Sequence, residues 1–147
     1  FLGPLSSAEQ SKRVRGQIET LSRMGKIIEF GEHAGNIVPP TIALTDEKFN
    51  EEVFGPVAIV TKFRSNEEAV NLANDSPYGL GASIWGSPEE AEPLVPLIEA
   101  GMVFVNKIVA SDPRVPFGGI KQSGIGRELS KYGLREFTNI KTVWIEH

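Results

Sequence analysis

Cysteine is absent from this 147-residue chain, which excludes a disulfide framework, a thiolate metal site and any cysteine nucleophile of its own. Histidine is almost as scarce. His33 and His147 are too few and too far apart for a zinc site, and neither stands with a serine as a catalytic triad requires. No apolar run approaches the roughly 20 residues of a membrane-spanning helix. Phe1-Leu2-Gly3-Pro4 lacks both the basic start and the apolar stretch of a signal peptide, so a cytoplasmic chain without a membrane partner is expected. A one-signed charge excess is missing too: 15 Lys and Arg stand against 19 Asp and Glu, a formal net charge of −4. The basic residues are scattered, which argues against a nucleic-acid partner. What remains is the composition of an ordinary globular domain, 40% hydrophobic and 23% charged, with enough length for one core and no linker-like stretch to divide it.

Periodicity supplies the element order. Val14, Ile18, Leu21 and Met24 recur at spacings of four and three, predicting a helix over Ser6–Lys26 with Ser6 and Glu9 as a capping box and Gly25 at its exit. Lys26–Phe30 and Ile37–Leu44 are short strand candidates, the second confined by Pro39-Pro40 to an edge or an irregular entry. From Val57 the pattern becomes regular. Val57–Phe63 reads as a buried strand, Ser65 and Glu68 cap a helix, Leu80–Trp85 is a second strand, Ser87-Pro88 starts another helix, and Met102–Asn106 is a third strand. The succession is βαβαβ, which predicts an α/β fold with a parallel sheet and right-handed crossovers. Pro93 and Pro96 start the second helix late or kink it. A long Gly- and Pro-rich connection over 107–126 precedes a short helix at Arg127–Tyr132 and a terminal strand at Asn139–Glu146.

Two segments carry the chemistry. In EEVFGPV, Glu51–Val57, Glu52 and Phe54 are two apart, so an extended backbone sends both side chains to one side. A carboxylate offers paired acceptors for two hydroxyls and an aromatic ring packs on a flat heterocycle; a solvated turn glutamate and a core phenylalanine fit the same spacing. In PFGGIKQSGIGRE, Pro116–Glu128, Gly118-Gly119 lets the backbone turn tightly after Phe117. Lys121, Gln122 and Ser123 read as parts of that turn alone. Gly124-Ile125-Gly126 is no dinucleotide fingerprint, because Leu129 replaces the third glycine and no strand is expected before it. Asp112-Pro113 is a turn signal.

EEVFGPV and PFGGIKQSGIGRE, in this order and this far apart, resemble the C-terminal part of the NAD(P)-dependent aldehyde dehydrogenases. The substrate loop NKIVASDPRVPF and the tail SKYGLREFTNIKTVWI are most similar to the succinate-semialdehyde dehydrogenase branch. The resemblance implies an α/β fold, a parallel βαβαβ sheet of the catalytic domain over 1–138 and an oligomerisation strand over 139–147. It implies NAD or NADP as cofactor, held at the nicotinamide ribose by Glu52 and Phe54. It also implies a small aldehyde substrate, with Phe117 as one wall of its tunnel and Ser111 donating to a distal carboxylate; an ordinary loop serine remains the other reading of Ser111. No residue of the chain is expected to be catalytic and none to bind a metal. The family's nucleophilic cysteine and general-base glutamate belong upstream, so the chain, which begins on Phe rather than Met, reads as a trimmed or cut part of a homo-oligomeric enzyme that is silent in isolation. Two alternatives stay open: a non-catalytic, self-associating module derived from the family, and one half of an enzyme completed by a separate chain. Asn139 stands where many relatives carry a carboxylate facing the arginine matched by Arg127, which leaves that arginine's partner open.

Overall fold

A computed structural model describes residues 2–147 and confirms the mixed α/β character. Helix α1 (Ala8–Met24) buries the expected stripe of Val14, Ile18 and Leu21. Its cap is Ser7 rather than Ser6: the Ser7 hydroxyl accepts from the Gln10 backbone N–H, so the first free helical donors are met one residue later than the capping-box pattern suggested. Gly25 closes the helix with its N–H on the Leu21 carbonyl. Strand β1 (Lys26–Glu29) runs antiparallel to β2 (Thr41–Leu44), and β2 runs parallel to β3 (Val57–Val60). The strand after Pro39-Pro40 is therefore central, not an edge. Both prolines precede its first residue and remove no ladder donor. Val14, Ile18 and Val38 form the core here, with Leu5, Ile27, Val53 and Val57 packed against it.

A second compact unit, Arg64–His147, follows the first, which ends at Phe63. This corrects the single unit expected from the absence of a linker, as contacts close locally on either side of an ordinary Lys62-Phe63-Arg64 stretch. Helix α2 (Asn66–Asn74) is capped by the Ser65 hydroxyl, which accepts from the Glu68 N–H. β4 (Tyr78–Gly79) pairs antiparallel with β7 (Ile120–Lys121), while β5 (Gly81–Ile84) and β6 (Met102–Val105) form the parallel pair that the βαβ pattern predicts. Between them α3 (Pro88–Ala91) passes into a 3₁₀ stretch over Glu92–Leu97. Pro93 and Pro96 cannot donate to an α-helical ladder, and the tighter turn is the local solution.

The ladders thus fall into three sheets rather than the single parallel βαβαβ sheet expected: β3 pairs with β2, and β5 with β6. Helix α4 (Ser130–Glu136) begins three residues later than Arg127. Residues 139–147 carry no strand. A strand needs a ladder, and this segment has no ladder partner among the described residues.

Candidate functional site

The EEVF segment lies against α1 as irregular chain. Its side chains alternate: Val53 packs on the Val14–Ile18 core, whereas Glu52 is exposed and Phe54 is 73% exposed. Both the carboxylate and the ring are therefore open to solvent, two residues apart on the chain. No side-chain partner meets the Glu52 carboxylate among the described residues. Phe54 is no core anchor.

Three contacts hold this segment to the helix, two at its backbone and one at a side chain. Gln10 Nε2 donates to the Phe54 carbonyl at 2.6 Å, and Gln17 Nε2 donates to the Glu52 carbonyl at 3.2 Å and to Glu51 Oε2 at 2.8 Å. Gly55 completes the fit, since a Cβ there would lie 2.9 and 3.0 Å from the Val14 methyls. Sequence reading missed both glutamines. The available signal was Gln17 itself, a polar residue three after Val14 on the buried stripe. An exposed carboxylate and an exposed ring, two residues apart on a backbone tied to a helix, offer paired acceptors and an apolar plate.

Ser111 and Phe117 flank a turn in the second unit. Asn106, at φ 53°, ends β6, and its side chain clasps Gly86 through both backbone groups, accepting at 3.0 Å and donating at 2.8 Å. Ser111 is exposed and Phe117 half-buried. Between them the Val115 N–H reaches the Asp112 carbonyl at 3.1 Å, closing a turn with Pro113 at its second position. The Arg114 guanidinium grips the Asp112 carboxylate twice, Nε to Oδ1 at 2.9 Å and Nη2 to Oδ2 at 2.6 Å, while the Arg114 N–H adds a third bond at 2.9 Å. These bonds hold the Asp112 carboxyl well below the usual carboxylate range, the side-chain bond from Arg114 contributing most. The same bonds raise the Arg114 pKa.

Phe117 exchanges both backbone bonds with Glu128 at 2.8 Å. Gly118, at φ 152°, follows, in backbone that a side chain rarely adopts. Arg127 Nη1 bridges the loop by donating to the Gly119 and Gly126 carbonyls at 2.8 and 2.7 Å, so its partners are backbone oxygens. Beside it lies an open cavity of about 380 Å³, lined among others by Leu80, Phe117, Ile125, Glu136 and Phe137.

The turn residues keep the structural roles expected of them. Ser123 Oγ accepts from the Gly79 N–H, Gln122 N–H donates to the Pro77 carbonyl, and Lys121 pairs with Glu99. A two-residue strand, β7, does precede Gly124, contrary to expectation. It is antiparallel to β4 and so makes no dinucleotide-binding βαβ unit.

Comparison with known proteins adds independent observations. Residues 1–143 match the family described as aldehyde dehydrogenase family. The chain is 46% identical to the Synechocystis protein named "Probable succinate-semialdehyde dehydrogenase (NADP+)", over 98% of this chain and 34% of that protein. It is 45% identical to an Escherichia coli protein named as a succinate semialdehyde dehydrogenase using NAD(P)+, over 97% of this chain and 33% of that one. The crystal structure of succinic semialdehyde dehydrogenase from Streptococcus pyogenes with NADP+ superposes with a TM-score of 0.92 at 42% identity, covering 100% of this chain and 34% of the other. The chain therefore spans about a third of the length of the curated relatives it matches.

Proposed function

The chain belongs to the aldehyde dehydrogenase family, and from that premise we propose that it forms the cofactor-orienting and substrate-wall part of an NAD(P)-dependent enzyme that oxidises succinate semialdehyde to the carboxylic acid. The observation that carries this reading is the exposure of both Glu52 and Phe54 on a segment clasped to α1. When bound, NAD(P)+ supplies the hydride acceptor. The Glu52 carboxylate accepts hydrogen bonds from a ribose diol, and the Phe54 ring packs against the nicotinamide side. Together they restrict the orientations open to the ring, and orientation of this kind contributes about 7 kcal/mol or more where near-attack geometry is held. Ser111 donates its hydroxyl to the distal carboxylate of the semialdehyde, and Phe117 is an apolar wall for its chain. In this reading residues 1–138 act with the catalytic domain, residues 139–147 act in homo-oligomerisation, and the setting is cytoplasmic.

Bond-breaking lies outside these residues, because the chain has no cysteine. The purified 147-residue chain is accordingly expected to form no reduced cofactor from succinate semialdehyde with NAD+ or NADP+, and turnover would refute its silence. Installed in the Synechocystis relative in place of the matching third, it is expected to support oxidation. Glu52→Gln in that hybrid removes a charged acceptor worth about 1.5–3 kcal/mol, so kcat/KM for the cofactor should fall roughly ten- to a hundredfold. An unchanged value sinks the Glu52 assignment.

A second reading, a non-catalytic self-associating module, is favoured by the exposure of Phe137, Ile140, Val143, Trp144 and Ile145. Unpartnered apolar surface of this extent is a recognised basis for association.

A further inference from the structure

We infer that Gln17 is a positioning residue for the cofactor end of the site: a buried amide on α1 that sets the backbone from which Glu52 and Phe54 project. The inference rests on the cofactor reading proposed above for those two residues. Gln17 is only 5% exposed, within the helix face that also buries Val14, Ile18 and Leu21. Its Nε2 bridges two acceptors, the Glu51 carboxylate at 2.8 Å and the Glu52 carbonyl at 3.2 Å. These acceptors determine the amide's orientation, since the flipped amide would set its oxygen against a carboxylate and a carbonyl. The amide oxygen is left buried and without a partner. Such an oxygen is unfavourable, and an apolar side chain of the same length would fill the stripe without it. Packing alone therefore gives no account of an amide at this position, whereas its two N–H bonds do.

The geometric consequence is specific. Glu51, Glu52 and Val53 belong to no strand or helix, so no ladder holds them. Val53 is drawn inward onto Val14 and Ile18, and the bond to the Glu52 carbonyl fixes the peptide plane just before it. Those two restraints set the direction in which the Glu52 carboxylate leaves the backbone. Glu51, two residues before Val53, is held at its carboxylate by the same amide. A bond from a helix side chain is a rigid support, and an error of about 1 Å at a positioning group is enough to cost a hundredfold in rate.

Gln17→Met, which keeps length and apolar contact while deleting the donor, provides the test. In the hybrid with the Synechocystis enzyme, the KM for NADP+ is expected to rise at least fivefold while the KM for succinate semialdehyde stays within twofold. Glu51→Gln should change neither, because an amide oxygen still accepts from Gln17. An unchanged NADP+ KM in Gln17→Met, with Glu52→Gln impaired, overturns the role of Gln17 and leaves the cofactor reading standing. If Glu52→Gln is also unchanged, the cofactor reading itself fails. Independently of turnover, backbone hydrogen exchange on the 147-residue chain should speed up at least tenfold at Gly55 and Val57, whose N–H groups reach the Val53 and Gly55 carbonyls, with α1 protection retained. Equal protection at these two amides in both proteins overturns the inference.

Discussion

Asp112 and Arg114 make a multiply bonded charged contact, and its consequence is a pH dependence. An aspartate held below its ordinary value contributes stability that is fully present above the unfolded value of about 3.9 and is lost only as pH falls through the lower, folded value. Arg114 is 85% exposed at its side chain, so the effect on global stability is screened and small. The effect belongs to the turn, where three bonds from Arg114 end on one carboxylate. Followed by carboxyl NMR, Asp112 should show no inflection near pH 3.9 in the native chain and should regain one in Arg114→Ala. An ordinary titration in the native chain would contradict the clamp. Asp112-Pro113 was legible as a turn from residue chemistry alone. The part played by Arg114 was not, since an arginine two residues on can as readily point into solvent.

At the scale of elements, α1 does more than cover a sheet. One face carries Val14, Ile18 and Leu21 into the core, and the same face presents Gln17 to the EEVF segment. Close approach is what makes this possible, and Gly55 is the point of contact. Gly55→Ala sets a methyl against the Val14 side chain, which is itself fully buried. Overpacking of this kind costs about 1–3 kcal/mol, and a lowered thermal midpoint is the expected measurement; an unchanged midpoint would show that α1 yields. The helix was readable because four apolar residues at spacings of four and three admit no other regular structure. Its cap was misplaced by one residue, as Ser6 and Ser7 offer the same hydroxyl and only the path of the chain selects between them. The 3₁₀ stretch over Glu92–Leu97 was half-legible: prolines announce a broken helix without stating what replaces it.

At the scale of the whole molecule, many large apolar residues are open to solvent, Trp85, Ile108, Leu134, Phe137 and Trp144 among them. The chain matches about a third of its relatives' length. In isolation it should self-associate through its C-terminal segment: light scattering on a size-exclusion column should show concentration-dependent mass, and removal of residues 139–147 should reduce it. A monomer at all concentrations would count against this segment as an interface. Local chemistry was decided by the sequence itself: the α/β class, the first helix, the Ser65-capped second helix and the family, all of which depend on short-range periodicity or on residue type at fixed spacing. Only the tertiary structure decided that β2 is central, that two compact units form, that the Arg127 guanidinium ends on backbone carbonyls, and that a buried glutamine supports the EEVF segment. Those outcomes depend on which distant segments meet, and hydrogen-bond partners 35 residues apart, as for Gln17 and Glu52, leave no periodic trace in a sequence.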